Sequence, residues 1–492
     1  MKRISIIISF LGINAFLFAQ SHVDALRYSQ HNIGGTARSV AMGGAFGALG
    51  GDFSTLSSNP AGLGVYRGSE FTFTPEFYFN NITSRYLGTE TSEGKFNFNL
   101  SNLGYVANFS DFNGVLKALN FGIGYNRIAN FHRNTITKGT NYNTTFADYM
   151  VEDANEYGLS TFTSEIFWEA YVIDDDTTYG GYKINDSQDG FLYDDGTFRP
   201  TEQYVINNEK GRINEWTLSV GLNLSDILYF GTTIGIQPVR YEFDKSWREF
   251  DAENTGHQYF DYKESLEVIG TGYTAKFGLI YRPISLLRIG AAAHLPVSYN
   301  LREEYKTSMT SIFVNRIITP VDEYGDEIDY LESNYKVVSP AKLMGSVALV
   351  LGKIWLISSD VEYINYSSMR MSSNDFDLSA ENDNIRAIYS NAINVKLGSE
   401  LRFDNTYLRG GFGYYESPFN DTEENSDAFR LSYSGGIGFR DEKFFFDIAY
   451  QYVNYDERQF LYGVNINNTD YFSVANNDSK AHRVMTTIGF RF

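Results

Sequence analysis

Six histidines, His22, His31, His132, His257, His294 and His482, are spread along a 492-residue chain without the spacing of a metal site. There is no Gly-x-Ser-x-Gly elbow, no His-Glu-x-x-His pair and no phosphate loop, so the residues for nucleophilic, zinc-hydrolytic or phosphoryl-transfer chemistry are missing. The chain has no cysteine, which removes thiolate ligation and disulfides. The acidic runs IDDDTT (173–178) and DTEENSD (421–427) lack the ligand spacing and central glycine of a calcium loop and read as solvated loop faces. No catalytic residue, metal or cofactor is expected. What remains is binding chemistry. Lys276, Arg288, Lys396 and Arg409, with Arg402 and Arg430, fall on the polar parity of alternating segments, as do Asp360, Glu362, Glu400 and Asp447. Charges packed together away from water need partners, so ion-pair networks are expected among them, and a basic residue left over could hold a carboxylate headgroup.

Those charges can share a face only if the elements carrying them are strands. Tyr 37, Phe 39 and Gly 44 against Pro 9, with 43% hydrophobic residues, describe a β-rich chain with an aromatic excess. A formal charge of -20 argues against nucleic acid or an anionic membrane surface as partner, since both attract Lys and Arg. The first residues, MKRISIIISFLGINAFLFAQ, place Lys2 and Arg3 before an apolar run from Ile4 to Phe18. That run is shorter than the ~20 residues of a spanning helix and reads as a secretory signal over 1–19, with a short membrane anchor as the alternative. With no other apolar run near that length, any membrane crossing must be made by strands.

From residue 68 onward the sequence alternates. In EFTFTPEFYF, Phe71, Phe73, Pro75, Phe77 and Phe79 share one parity and Glu70, Thr72, Thr74 and Glu76 the other. Repeating the test to the C-terminus predicts about fourteen such segments, an even number that suits a closed antiparallel barrel. Tight connections are predicted after the even-numbered segments, at 225–226, 351–353, 404–405 and 440–443. Longer polar ones are predicted after the odd-numbered segments, including 136–211, 303–334, 372–389, 417–426 and 462–479, and the first two segments are bounded at 68–83 and 95–109. Short turns on one rim and long loops on the other are the pattern of a bacterial outer-membrane barrel. Charges stay off the apolar parity: Val395, Leu397 and Leu401 alternate with Lys396, Glu400 and Arg402. If that parity meets lipid, a charge misplaced onto it costs ~2–4 kcal/mol near the midplane. The final HRVMTTIGFRF alternates and ends in Phe492, which looks like the signal that outer-membrane barrels present to their assembly machinery.

Ahead of the first segment lies GGTARSVAMGGAFGALGGDFSTLSSNPAGLG, rich in small residues that pack closely, with glycine pairs at 43–44 and 50–51 as hinges and Pro60 interrupting any helix. An empty fourteen-stranded barrel has a wide lumen, and this segment is the natural filling. Here the chain resembles the FadL-type family of outer-membrane long-chain fatty acid and hydrocarbon transporters: Asn59, Pro60 and Ala61, followed by Gly62 and Leu63, match the Asn-Pro-Ala motif of that family's N-terminal hatch. The resemblance implies a hatch over 20–67 plugging a membrane-spanning barrel over 68–492, with 136–211 as its longest extracellular loop. It further implies passive uptake of a hydrophobic small molecule, captured among the loops and released sideways through a kink in strand three, by a monomer whose other partners are outer-membrane lipid and the barrel assembly machinery.

In the third segment, LNFGIGYNRIANFHRN, parity holds through Leu119, Phe121, Ile123 and Tyr125 and slips at Arg127 to Ile128, as at a bulge, with Gly122 and Gly124 permitting it. Gly122, Gly124, Asn126 and Arg127 are therefore the candidate lateral opening; an ordinary bulge is the alternative, and the second segment slips likewise between Leu100 and Leu103. In the long loop, Phe162, Ile166, Phe167, Ala170 and Tyr171 recur at helical spacing and either line a greasy capture groove or pack the loop onto the rim. Three other functions share this pattern: a haem or aromatic-compound importer, a shuttle or interaction subunit of an outer-membrane protein-secretion system, and a plain porin.

Overall fold

The structure, a computed structural model, describes residues 21–31, 34–110, 112–185, 200–251, 257–313, 316–320, 330–352, 354–466 and 468–492, so the expected leader over 1–19 lies outside the described residues. Before the sheet come three short helices, α1 (His22–Ser29), α2 (Ala37–Ala41) and α3 (Thr55–Ser58), and a 3-10 turn, Pro60–Val65. The alternating segments then form fourteen antiparallel strands in one closed barrel. They are β1 (Glu70–Tyr86), β2 (Thr89–Phe109), β3 (Leu116–Asn130, resuming as Arg133–Asn141), β4 (Thr201–Leu224), β5 (Leu228–Asp251), β6 (His257–Tyr281) and β7 (Leu287–His294 and Ser298–Phe313). Next are β8 (Leu331–Val338 and Lys342–Leu351), β9 (Trp355–Asn365 and Arg370–Ser372), β10 (Asn391–Phe403), β11 (Thr406–Tyr415), β12 (Arg430–Arg440), β13 (Phe444–Ile466) and β14 (Thr469–Arg491). β14 pairs back onto β1, with Phe490 opposite Phe71 and Val484 opposite Phe77, so the sheet has no free edge at its ends. At this seam the Phe492 amide donates to the Ser69 carbonyl at 3.0 Å and Arg491 Nε to Glu70 at 2.9 Å, joining the last residue to the start of the barrel.

The greasy parity faces outward. On β4, Trp216 and Leu218 are exposed while Thr217, Ser219 and Asn223 are buried; on β10, Leu397 is exposed while Lys396 and Glu400 are buried. A soluble barrel has the opposite arrangement, and this one is solvated correctly only by hydrocarbon. No helix among the described residues is long and apolar enough to cross a membrane.

The strands outrun the apolar band. β4, β5 and β6 have 24, 24 and 25 residues, where a crossing needs about 9–11. On the outer face of β5, Phe230, Ile234 and Ile236 give way to Arg240, which pairs with Glu242 at 2.8 Å and Glu267 at 3.1 Å. The expected loops 136–211 and 303–334 are shorter than predicted, since β3 runs on to Asn141, β4 starts at Thr201, β7 runs to Phe313 and β8 starts at Leu331, and two further predicted breaks are corrected. The expected break between 83 and 95 is a hairpin turning at Leu87 and Gly88, both at positive φ, and the expected loop 462–479 belongs mostly to β13 and β14, paired out to Ile466 and Thr469. The reason is physical: once a strand clears the lipid its outer face can be polar, and the hydrogen-bond ladder continues where the apolar alternation stops.

The connection between β3 and β4 folds over the barrel's top. There α4 (Phe146–Tyr157), α5 (Ser164–Glu169) and a small hairpin, Ile173–Asp175 with Tyr182–Ile184, form a lid. Thr145 and Asp148 make a capping box at the start of α4. Of the residues at helical spacing, Ile166, Phe167 and Ala170 are buried against Trp247, Phe260 and Tyr262 of the wall, whereas Tyr171 is exposed. The loop's apolar face thus packs onto the rim. A further helix, α6 (Ser379–Ile388), folds inward between β9 and β10 to meet α1.

Candidate functional site

The N-terminal segment is shaped by local rules. Ser21 caps α1 by accepting from the Val23 amide, Thr36 caps α2 by accepting from the Ser39 amide, and Asn59 caps the 3-10 turn by accepting from the Ala61 amide, with Pro60 at its first position. Gly43, Gly44, Gly50 and Gly51 have φ of 63°, 76°, 69° and 64°, so the chain doubles back at both predicted hinge pairs. The 3-10 turn packs on β3 to β6, α2 on β11 to β14, and α1 beside β8 and α6. A segment that touches the ring on opposite sides lies in its lumen.

Close approach is built into the wall. At Gly231 of β5 a Cβ would strike the Pro60 carbonyl, and at Gly411 of β11 the backbone of Met42 and Gly43. Replacing Gly411 with Leu is accordingly expected to push the segment off the wall at about 1–3 kcal/mol or more, read as raised ion conductance in planar bilayers, while the outer-facing Leu408→Ala on the same strand leaves the lumen closed.

Polar anchors fix the segment. Asp360 accepts from the Phe46 amide at 3.0 Å and the Gly47 amide at 3.0–3.2 Å. Asn59, fully buried, donates to the carbonyls of Gly47 (2.6 Å) and Leu279 (3.2 Å). Arg38 forks onto both oxygens of Glu400 at 2.9 Å. The four cations proposed as headgroup contacts all sit in such contacts. Lys276 holds Glu215 at 2.6 and 2.7 Å and reaches the Ser57 carbonyl at 3.1 Å; Lys396 pairs with Glu362. Arg409 lies between Glu400 and Asp447, 2.6 Å from each, and Arg288 donates to the Leu49 carbonyl at 2.5 Å. Arg402 instead is exposed at a turn, donating to the Asp404 carbonyl. Glu215 went unnoticed in the sequence, although it lies on the polar parity of β4, one step before Thr217.

The phase slip in the third segment is a real irregularity: Arg127 pairs with Asn214 and Ala129 with Ile213, leaving Ile128 as the extra residue of a bulge. The slip in β2 is also a bulge, lying opposite Pro75, which has no amide to offer the ladder. The two irregularities meet. Pairing of β2 with β3 runs from Phe109↔Leu119 to Asn102↔Asn126 and stops, although β2 continues along β1 to Thr89. Beyond the gap, the upper half of β3 is held to the β1–β2 hairpin by side chains: Ser84 to Thr137 at 2.9 Å and Lys95 to Asn134 at 2.9 Å. Inside the gap, Asn97 and Asn130 are 3.5 Å apart.

The segment and the gap are joined. Asn126 accepts from Asn102 at 2.7 Å and donates to Ser57 at 2.8 Å, and Ser57 donates to Glu215 at 2.6 Å. Gly122 and Gly124 make room for Leu56 and Phe53, and Gly34 packs on the Arg127 carbonyl. Two cavities of about 100 Å³ each flank Arg127 and Ile128, one toward β11–β14 and one toward Lys276, His294 and Lys396.

No family model and no curated protein matches the sequence. Solved structures do match over nearly the whole chain. A FadL homologue of Pseudomonas aeruginosa aligns over 94% of this chain and 100% of its own, with 12% identity and a TM-score of 0.56. The toluene transporter TbuX of Ralstonia pickettii covers 94% and 99%, with 14% identity and a TM-score of 0.51, and the toluene transporter TodX of P. putida covers 94% and 99%, with 12% identity and a TM-score of 0.51.

Proposed function

We propose, from a chain with the FadL-type fold, that this protein is an outer-membrane transporter for passive uptake of hydrophobic small molecules. The observation that carries the reading is the missing pairing between β2 and β3 at membrane level, beside an N-terminal segment packed on the inner wall. Hydrocarbon solvates no free backbone groups, so a ladder broken there persists only where it does something. In this reading a ligand enters under the lid, loosens the segment and leaves through the gap into lipid. No energy source is needed, because each step moves apolar surface from water toward a drier site. The toluene and FadL names of the structural neighbours support the hydrophobic class of cargo. The leader over 1–19 would deliver the chain across the inner membrane, and Phe492, 74% exposed, is available to the assembly machinery.

The test is uptake of radiolabelled oleate and toluene by a transporter-deleted Gram-negative strain expressing this chain. Faster entry than in the empty-vector strain supports the reading. Entry at the empty-vector rate for both compounds, with folded barrel in the membrane, overturns it.

A further inference from the structure

The cavity on the β11–β14 side of the kink is lined by four arginines, three of them in contacts already made. Arg483 is held by Glu76 at 2.9 and 3.1 Å and by Gln451 at 3.0 Å. Arg133 lies between Glu209, at 3.2 Å, and Glu457. Arg430 stacks 5.5 Å over the Tyr415 ring. Arg127 differs. It is only 9% exposed, its Nη2 reaches the Tyr125 hydroxyl at a long 3.4 Å, its buried Nε has no acceptor, and no carboxylate among the described residues pairs with it. A buried guanidinium without a counter-charge is strongly unfavourable, and the group that relieves it is an anion. The other walls say what the anion is attached to: Ile128, Ala129, Phe131 and Val453 are apolar, and Tyr78 and Tyr455 present rings. The volume, about 100 Å³, is on the scale of the ~150 Å³ site that takes benzene.

We propose that this cavity is a binding site for a compact aromatic monoanion, a single ring bearing one carboxylate, with the carboxylate on Arg127 and the ring against Ile128 and Val453. The proposal rests on the uptake reading, since it makes the site a station beside the wall gap, and it adds single-ring carboxylates to the hydrophobic cargo of that reading. Arg127 sits on the bulge itself, so a ligand anchored there is already at the opening.

The test is calorimetric titration of the detergent-folded full chain with benzoate, alongside acetate and toluene, with folding of every variant checked by heat-modifiable gel migration. Benzoate is expected to bind saturably and acetate much more weakly. Arg127→Met is expected to weaken benzoate roughly 10- to 100-fold, the scale of a charge-assisted hydrogen-bonded pair, and to leave toluene unchanged, with Arg127→Lys between. Ala481→Trp, which fills the cavity without touching the charge, is expected to abolish benzoate binding, and it serves should Arg127→Met fail to fold. Benzoate binding no tighter than acetate, or unchanged in both Arg127→Met and Ala481→Trp, overturns the proposal. If oleate and toluene still enter cells while benzoate does not bind, the site fails and the uptake reading stands. If benzoate binds through Arg127 and neither compound enters cells, the site stands and the uptake reading fails.

Discussion

Oxidising an Asn97→Cys/Asn130→Cys double variant is expected to cut uptake of hydrophobic compounds about tenfold or more, and reduction with dithiothreitol to restore it. The Asn130 Nδ2 and Asn97 Oδ1 atoms are 3.5 Å apart across the break between β2 and β3, so the two positions face each other over it. The wild-type chain has no cysteine, so the engineered bridge has no competitor. Residues on either side of the opening would be pinned at the level where the ladder ends, leaving the lumen, lid and N-terminal segment untouched. Uptake that is equal in the oxidised and reduced forms would mean the cargo leaves by another route.

Replacing Asn59 with Ala is expected to abolish uptake while the barrel still assembles and migrates as a folded species. One buried side chain joins three pieces: the Gly47 turn, the 3-10 turn through the Ala61 amide, and β6 through the Leu279 carbonyl. Truncation leaves these groups without their partner, at about 1–3 kcal/mol for each buried group left unsatisfied. The sum falls on the segment rather than the sheet, because none of the groups lost belongs to the β1–β14 seam. Asn59→Asp is expected to abolish uptake as well and to loosen the segment further, since it also leaves a charge where Asn59 is 0% exposed. Wild-type uptake by either variant would separate the segment from transport.

The membrane-level half of this molecule was legible in the sequence for a specific reason. Hydrocarbon outside and polar packing inside force a period of two, so the parity of Trp216, Leu218 and Leu397 could be read directly and agrees with the exposure found. The bulge at Ile128 was legible too, because an extra residue flips every side chain after it. Above the lipid that constraint vanishes, which is why β13 was ended too soon and β14 begun too late. The slips at Leu295–Pro296 and Ser339–Pro340, where β7 and β8 break side by side, passed unseen although both carry a proline. Partnerships were harder still. Parity marked Lys276 and Arg409 as inward, but that Glu215 two strands away would hold the first, and that Arg127 rather than either would lack a carboxylate, depends on the register of neighbouring strands along the inner wall.

The Phe492–Ser69 contact bears on how such a molecule is made. The stalk of the inner segment leaves the wall at Gly68, next to Phe492 at the end of β14, whose carbonyl oxygen would lie 3.3 Å from a Cβ at that glycine. Zipping up the cylinder and trapping its contents are therefore a single event at one place. An assembly intermediate held short of that moment would leave residues 34–66 open to protease, and the same residues would become resistant together as the terminal strand docks.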